Sequence, residues 1–188
     1  MASNAAQRAA LASSLWFVAV AMALHELEEW NIGSWFARNF SNHTGISNAA
    51  IWIGLVVVTL VFTGWIFVAT RMRSPLAMAL LAMPAVALVA VGNAVQHITW
   101  TLEFAEYAPG VASACLLVIP AAFVAMRRMV AVNRLLLLPL GGCAVLWVVA
   151  SLQVLEVGRE LEPFQLVLQR FFIGIAMALG LPGYANAS

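Results

Sequence analysis

The chain has 188 residues, 64% hydrophobic and 9% charged, with a formal net charge of +1. Soluble domains carry about a quarter charged residues. The composition, with a mean hydropathy of +0.96, therefore excludes an ordinary soluble domain and reads as a polytopic membrane protein surrounded by lipid. The near-zero charge and the lack of a basic run exclude nucleic acid as a partner. All nine cations are arginine, and lysine and aspartate are absent, a bias expected of a GC-rich bacterial genome. One transmembrane domain is expected over residues 1–188; oligomeric state leaves no trace in the sequence.

Crossing the hydrocarbon takes roughly 20 apolar residues. The first predicted helix covers about 9–30. It superficially suits a signal peptide, but Glu26, Glu28 and Glu29 follow its apolar core directly without a small-x-small cleavage site, so it is read as retained. The second, about 48–70, ends at Arg71-Met72-Arg73. The third opens at Pro75, a favoured first-turn residue, and reaches about 102. The fourth, about 109–126, stops at Arg127-Arg128, and the fifth covers about 134–156. Residues 164–181 are apolar but carry Arg170. They are read as a short sixth span with Arg170 drawn toward a carboxylate, the alternative being an amphipathic helix in the interface. Pro84, Pro120 and Pro139 fall inside helices, where kinks are tolerated. Cys115 and Cys143 have neither CxxC nor zinc-ligand spacing and are expected to be small buried residues. The fold class is all-α, a membrane helical bundle of five to six transmembrane helices.

Arg8, Arg71, Arg73, Arg127, Arg128 and Arg134 flank helices on one side of an alternating topology. The positive-inside rule makes that side cytoplasmic and puts the N-terminus inside, in a bacterial inner membrane. Helices one and three then both deliver polar residues to the outer leaflet. Helix one ends in His25-Glu26-Leu27-Glu28-Glu29, and helix three carries Asn93 and His97 near its outer end. Ionisable groups at membrane depth are costly and mark functional sites by default.

Residues three or four apart share a helix face. His25 therefore aligns with Glu28 and Glu29, and Asn93 with His97, while Glu26 points about 100° away and is expected to mark the exit into water. His25, Glu29 and His97 suit a single divalent metal, zinc or iron. A Glu28 or Glu29 that is not a ligand could serve as general base. A di-iron centre fits less well, because His25-x-x-Glu28 reverses the usual Glu-x-x-His order. The same residues could also form a structural polar network without metal. His43, in a loop, is expected to be solvated. Trp30, Trp35, Trp52 and Trp100 are expected mostly in an interfacial belt, and Met22, Met78 and Met83 in packing. The stretch from Asn31 to Ser47 is expected to lie over the site as a lid.

His25-Glu26-Leu27-Glu28-Glu29 and Asn93-Ala94-Val95-Gln96-His97 resemble the HxxEE and NxxxH motifs of the HXXEE-domain membrane proteins, a family of uncharacterised function. Tyr107-Ala108-Pro109-Gly110 is similar to its third polar landmark. The resemblance implies catalytic or metal-binding roles for His25, Glu28, Glu29, Asn93 and His97, adds Tyr107 to the catalytic candidates, and supplies no reaction.

Three functions are compatible with these residues. The first is a metal-dependent membrane enzyme, a hydrolase or oxidoreductase, acting on an apolar or lipid-like small molecule. The second is a metal-free acid–base isomerase or cyclase of isoprenoid or sterol-like substrates. The third is a cation or proton transporter, disfavoured because the polar residues cluster in one leaflet.

Overall fold

The computed structural model describes residues 4–157, 160–161 and 163–185. It is helical throughout: among the described residues there is no strand, only an isolated bridge between Ile46 and Tyr184. We number the helices α1 (Asn4–Glu28), α2 (Ile32–Asn39), α3 (Asn48–Thr70), α4 (Pro75–Phe104), α5 (Val111–Val132), α6 (Leu137–Val157) and α7 (Pro163–Ala178). Five helical stretches are long and apolar enough to cross a membrane, the first joining α1 and α2.

Helix α1 is central, packed against α3, α4 and α5. Its buried residues Leu11, Leu15, Val18, Met22, His25 and Glu29 alternate steps of four and three, the spacing of a helix seam. The site residues are thus the outer end of the same stripe that packs the bundle. Lipid is as apolar as leucine, so membrane helices associate through close packing of small residues. Ala79, Ala82, Ala90 and Ala94 of α4 and Ala114, Ala122 and Ala125 of α5 supply it, all fully buried. Met22 and Met78 are buried in this core and Met83 packs against it, as expected.

Two prolines leave a mark. Pro84 opens a π-helical turn over Pro84–Ala90, and a second, Ala114–Val118, closes just before Pro120. Proline removes a backbone donor, and a π-turn re-pairs the ladder one residue further on. Trp147 of α6 donates to the Ala87 carbonyl in the first π-turn at 3.0 Å.

A second core lies at the end of the bundle that bears the polar residues. Trp35, Phe36 and Phe40 gather on Trp100, with Ile46, Ile51 and Phe172 around them. Trp35 and Trp100 are therefore core residues, whereas Trp30 and Trp52 are exposed as a belt requires.

Helix α7 is shorter than the sixth span expected over 164–181. It has 16 residues, about 24 Å, against a hydrocarbon thickness of about 30 Å. Both its ends also meet the loop before α3. Leu161 and Asn42 exchange two hydrogen bonds, Thr44 donates to Gln169, Ser47 N–H donates to Gly183 and Ala185 N–H to Gly45. The chain after α7 folds back until Gly183 lies against Met177 and Ile173. The helix stays at one end of the bundle, and Arg170 is exposed, without a carboxylate partner among the described residues.

Other expectations also change. Helix α5 runs on through Arg127 and Arg128 to Val132, both arginines projecting from its exposed side. Cys115 is exposed and Cys143 half-buried; both are free thiols. His43 is half-buried, its Nδ1 accepting from Gly45 N–H at 2.9 Å. Of the charged residues between α6 and α7, Arg159 and Glu162 lie outside the described residues.

Candidate metal centre

The α1 seam ends where the chain tightens. Glu29–Asn31 form a 3-10 turn that redirects the backbone into α2. His25, in the last α-helical turn, and Glu29, at the start of the 3-10 turn, still share the inward face. Helix α4 arrives with His97 on its buried side. Glu29 Oε1 stands 2.9 Å from His25 Nε2 and 3.0 Å from His97 Nε2. The two imidazoles meet edge to face at 4.9 Å. His25 is 0%, His97 1% and Glu29 7% exposed.

This arrangement has a chemical peculiarity. Glu29 Oε1 and His25 Nε2 are buried and close, yet neither has a hydrogen-bond partner of acceptable direction. Buried polar groups are rarely left this way. One ligand atom from each of His25, Glu29 and His97 lies within 4.8 Å of the others. Two imidazoles and a carboxylate form the donor set of His2Glu zinc sites and of non-haem iron facial triads. Bond lengths of 2.0–2.2 Å in a tetrahedral site put ligand atoms about 3.3 Å apart, so an ion requires a spreading of a few tenths of an ångström. The residues fit a metal.

Around this trio lies a shell built on the start of α5. The first amides of a helix lack intrahelical partners, and Gly110, which precedes α5, offers no capping side chain. Glu28 supplies the cap from α1: its carboxylate accepts from Ala112 N–H at 3.2 Å and Ser113 N–H at 2.7 Å. Tyr107 donates its hydroxyl to the same carboxylate. Burial, then the adjacent Glu28 carboxylate, pushes the Tyr107 phenol up to about 12. Ser113, bonded to His25 Nδ1 at 2.9 Å, completes the shell.

The loop between α4 and α5 closes over the rings. Gly110 sits at φ +97°, and a Cβ there would stand 2.8 Å from His25 Cε1 and 3.0 Å from His97 Nδ1. Only glycine combines this φ with this approach. The loop is tied down by Glu106, which accepts from Arg38 at 2.8 Å and Asn39 at 3.2 Å. These two bonds hold the Glu106 carboxyl below its usual range. Because Arg38 and Asn39 belong to α2, the stretch expected as a lid is a helix braced to the site loop. Its Trp35 lies 5.5 Å from Trp100, which packs on His97 at 5.1 Å.

Of the predicted residues, His25, Glu29 and His97 converge, and Glu28 and Tyr107 stand one contact away. Asn93 does not join them: among the described residues no hydrogen bond ties it to the trio, and its side chain is half-buried. Glu26 corrects another expectation. It is 5% exposed rather than solvated, and its Oε1 has no partner. Ser113 escaped sequence reasoning because a serine in an apolar helix looks like any small packing residue. Its position three residues after Gly110, in the opening turn of α5, was the available signal.

A family model described as "Protein of unknown function with HXXEE motif" matches residues 16–125. No curated protein matches the chain, and no solved structure does.

Proposed function

Since the chain belongs to the HXXEE family, whose function is unknown, we propose from the site alone that it is a membrane enzyme centred on one divalent metal, zinc or iron, held by His25, Glu29 and His97. The observation that carries this reading is the convergence of three buried ligand atoms, one each from His25, Glu29 and His97, within 4.8 Å of one another. Such an ion would act as a Lewis acid or activate water. The chain's own part is to hold the ligands in a dry pocket, with Glu28 docking α5 and Gly110 sealing the imidazoles. An apolar or lipid-like substrate suits the surroundings. The trio is nearly closed to solvent, and the outward residues beside it on α1 are Leu24 and Leu27. The arginine pattern supports a cytoplasmic N-terminus and a site in the outer leaflet.

Metal analysis of the purified full-length protein tests this reading. About one zinc or iron per chain, lost in His97→Ala and kept in His43→Ala, is the expected result. No bound metal, or a content indifferent to His97→Ala, would overturn it.

A metal-free acid–base enzyme is the second reading. It is favoured by the 2.9 and 3.0 Å separations, which suit a shared proton better than an ion. Activity surviving exhaustive chelation would support it. A transporter has less support, because the α1 seam beneath His25 is Met22, Val18, Leu15 and Leu11, and the one buried polar side chain there, Ser14, is bonded to the Leu11 carbonyl.

A further inference from the structure

The two histidines of the trio are held unequally. His25 Nδ1 is 2.9 Å from Ser113 Oγ. Ser113 has one hydroxyl hydrogen, and its Oγ donates to the Gly110 carbonyl at 3.1 Å. With that hydrogen committed, the oxygen can only accept from His25. A proton then sits on Nδ1, and Nε2 is left to face Glu29 with the candidate ion or a second proton between them. His97 has no equivalent: its Nδ1 is buried against Gly110 without a partner.

Ser113 itself cannot drift. Its backbone N–H is clamped by Glu28 Oε2 at 2.7 Å, its side chain is 8% exposed, and the preceding turn is pressed against both rings at Gly110. A histidine ligand depends on an outer partner to fix its tautomer and orientation. We infer that Ser113 is the positioning residue of this centre, setting the His25 tautomer, and that Glu28 acts on His25 only through Ser113 and the α5 N-terminus. The two adjacent glutamates of the HxxEE motif would then do different work, Glu29 at the ligand atoms and Glu28 one contact outside them.

The consequence for metal affinity rests on the metal reading above; the tautomer does not, so the two are measured separately. In full-length protein labelled with 15N-histidine, long-range 1H–15N spectra of the metal-free form report the tautomer of each of the three histidines. His25 is expected to carry a proton on Nδ1 in the wild type and in Ser113→Thr, and to lose it in part in Ser113→Ala. Zinc titration against a chelating dye is expected to show affinity falling about 10–100-fold in Ser113→Ala and holding in Ser113→Thr. A wild-type His25 with no proton on Nδ1 would overturn the inference. So would a Ser113→Ala protein that keeps wild-type tautomer and zinc affinity. If the wild type binds no zinc but Ser113→Ala still loses the Nδ1–H form, the metal reading fails and the positioning role stands. Ser113→Thr retains the hydroxyl and so separates this role from a general packing effect.

Discussion

His25 and His97 come from different helices and meet edge to face, their ring planes at 88°, over a single oxygen of Glu29. Two imidazoles and a carboxylate brought this close inside an apolar bundle need a proton or a cation among them. Otherwise three lone-pair-bearing atoms would face one another without compensation.

Glu28 and Glu29 should separate cleanly under mutation. Glu29→Gln removes the carboxylate from the ligand atoms and is expected to weaken zinc binding by more than the roughly 100-fold that loss of an outer partner causes. Glu28→Gln turns an amide NH2 toward backbone donors. It is expected to lower stability by about 1 kcal/mol, as loss of a helix cap does, and to weaken zinc binding less than Glu29→Gln. Thermal unfolding in detergent beside a zinc titration checks both; equal effects on zinc would contradict the division of labour.

Gly110→Ala asks an alanine to adopt φ +97° and to place its Cβ within 3.0 Å of His97 Nδ1. The backbone strain alone is of order 1–3 kcal/mol, and relief requires the loop to lift from the rings. Lower unfolding temperature together with increased hydrogen exchange over residues 105–113 is expected. An unchanged melting curve would mean the loop does not seal the site.

The loop should also respond to alkali. Tyr107 titrates near 12 in the folded protein against about 10 when unfolded. A raised pKa gives a stabilising contribution that is complete below about pH 10 and is lost as pH rises toward 12. Phenolate absorbance of the two tyrosines is expected to show a component near pH 12 that disappears in Tyr107→Phe. Its persistence there would assign it elsewhere.

Helix α7 can be placed by labelling. With Cys115 and Cys143 replaced by alanine, Ser41→Cys and Ala185→Cys should react with an impermeant maleimide from one side of the membrane and Arg73→Cys from the other. If Ala185→Cys labels with Arg73→Cys, α7 spans after all.

Gly92 seats the Trp147 indole, which a Cβ would meet at 1.8–2.4 Å. Gly92→Ala is expected to cost about 1–3 kcal/mol by overpacking, read as a lower melting temperature. An unshifted melt would show that the indole moves freely aside.

Much of this was legible beforehand because membrane helices are written in local patterns. Apolar length gave the five spans, and the α1 periodicity put His25 and Glu29 on one face. The ends of α5 and the fate of α7 were less legible. Arg127 and Arg128 looked like a stop, yet arginine is a good helix former and projects outward there. The apolar run of α7 looked like a span because hydropathy does not record where its two ends are tied.

Composition and helical period are properties of the local chain, so the class of the molecule, its helices and the residues able to share a face were legible in the amino-acid order alone. Which faces meet is a matter of packing between helices. That packing joined His97 to His25 and Glu29 while leaving Asn93 aside, buried Glu26, and turned Glu28 to the amides of α5. Those outcomes depend on how α1, α4 and α5 cross. Crossing is set by the alanine seams, the two π-turns and the close approach at Gly110, where small residues far apart in sequence let backbones come together.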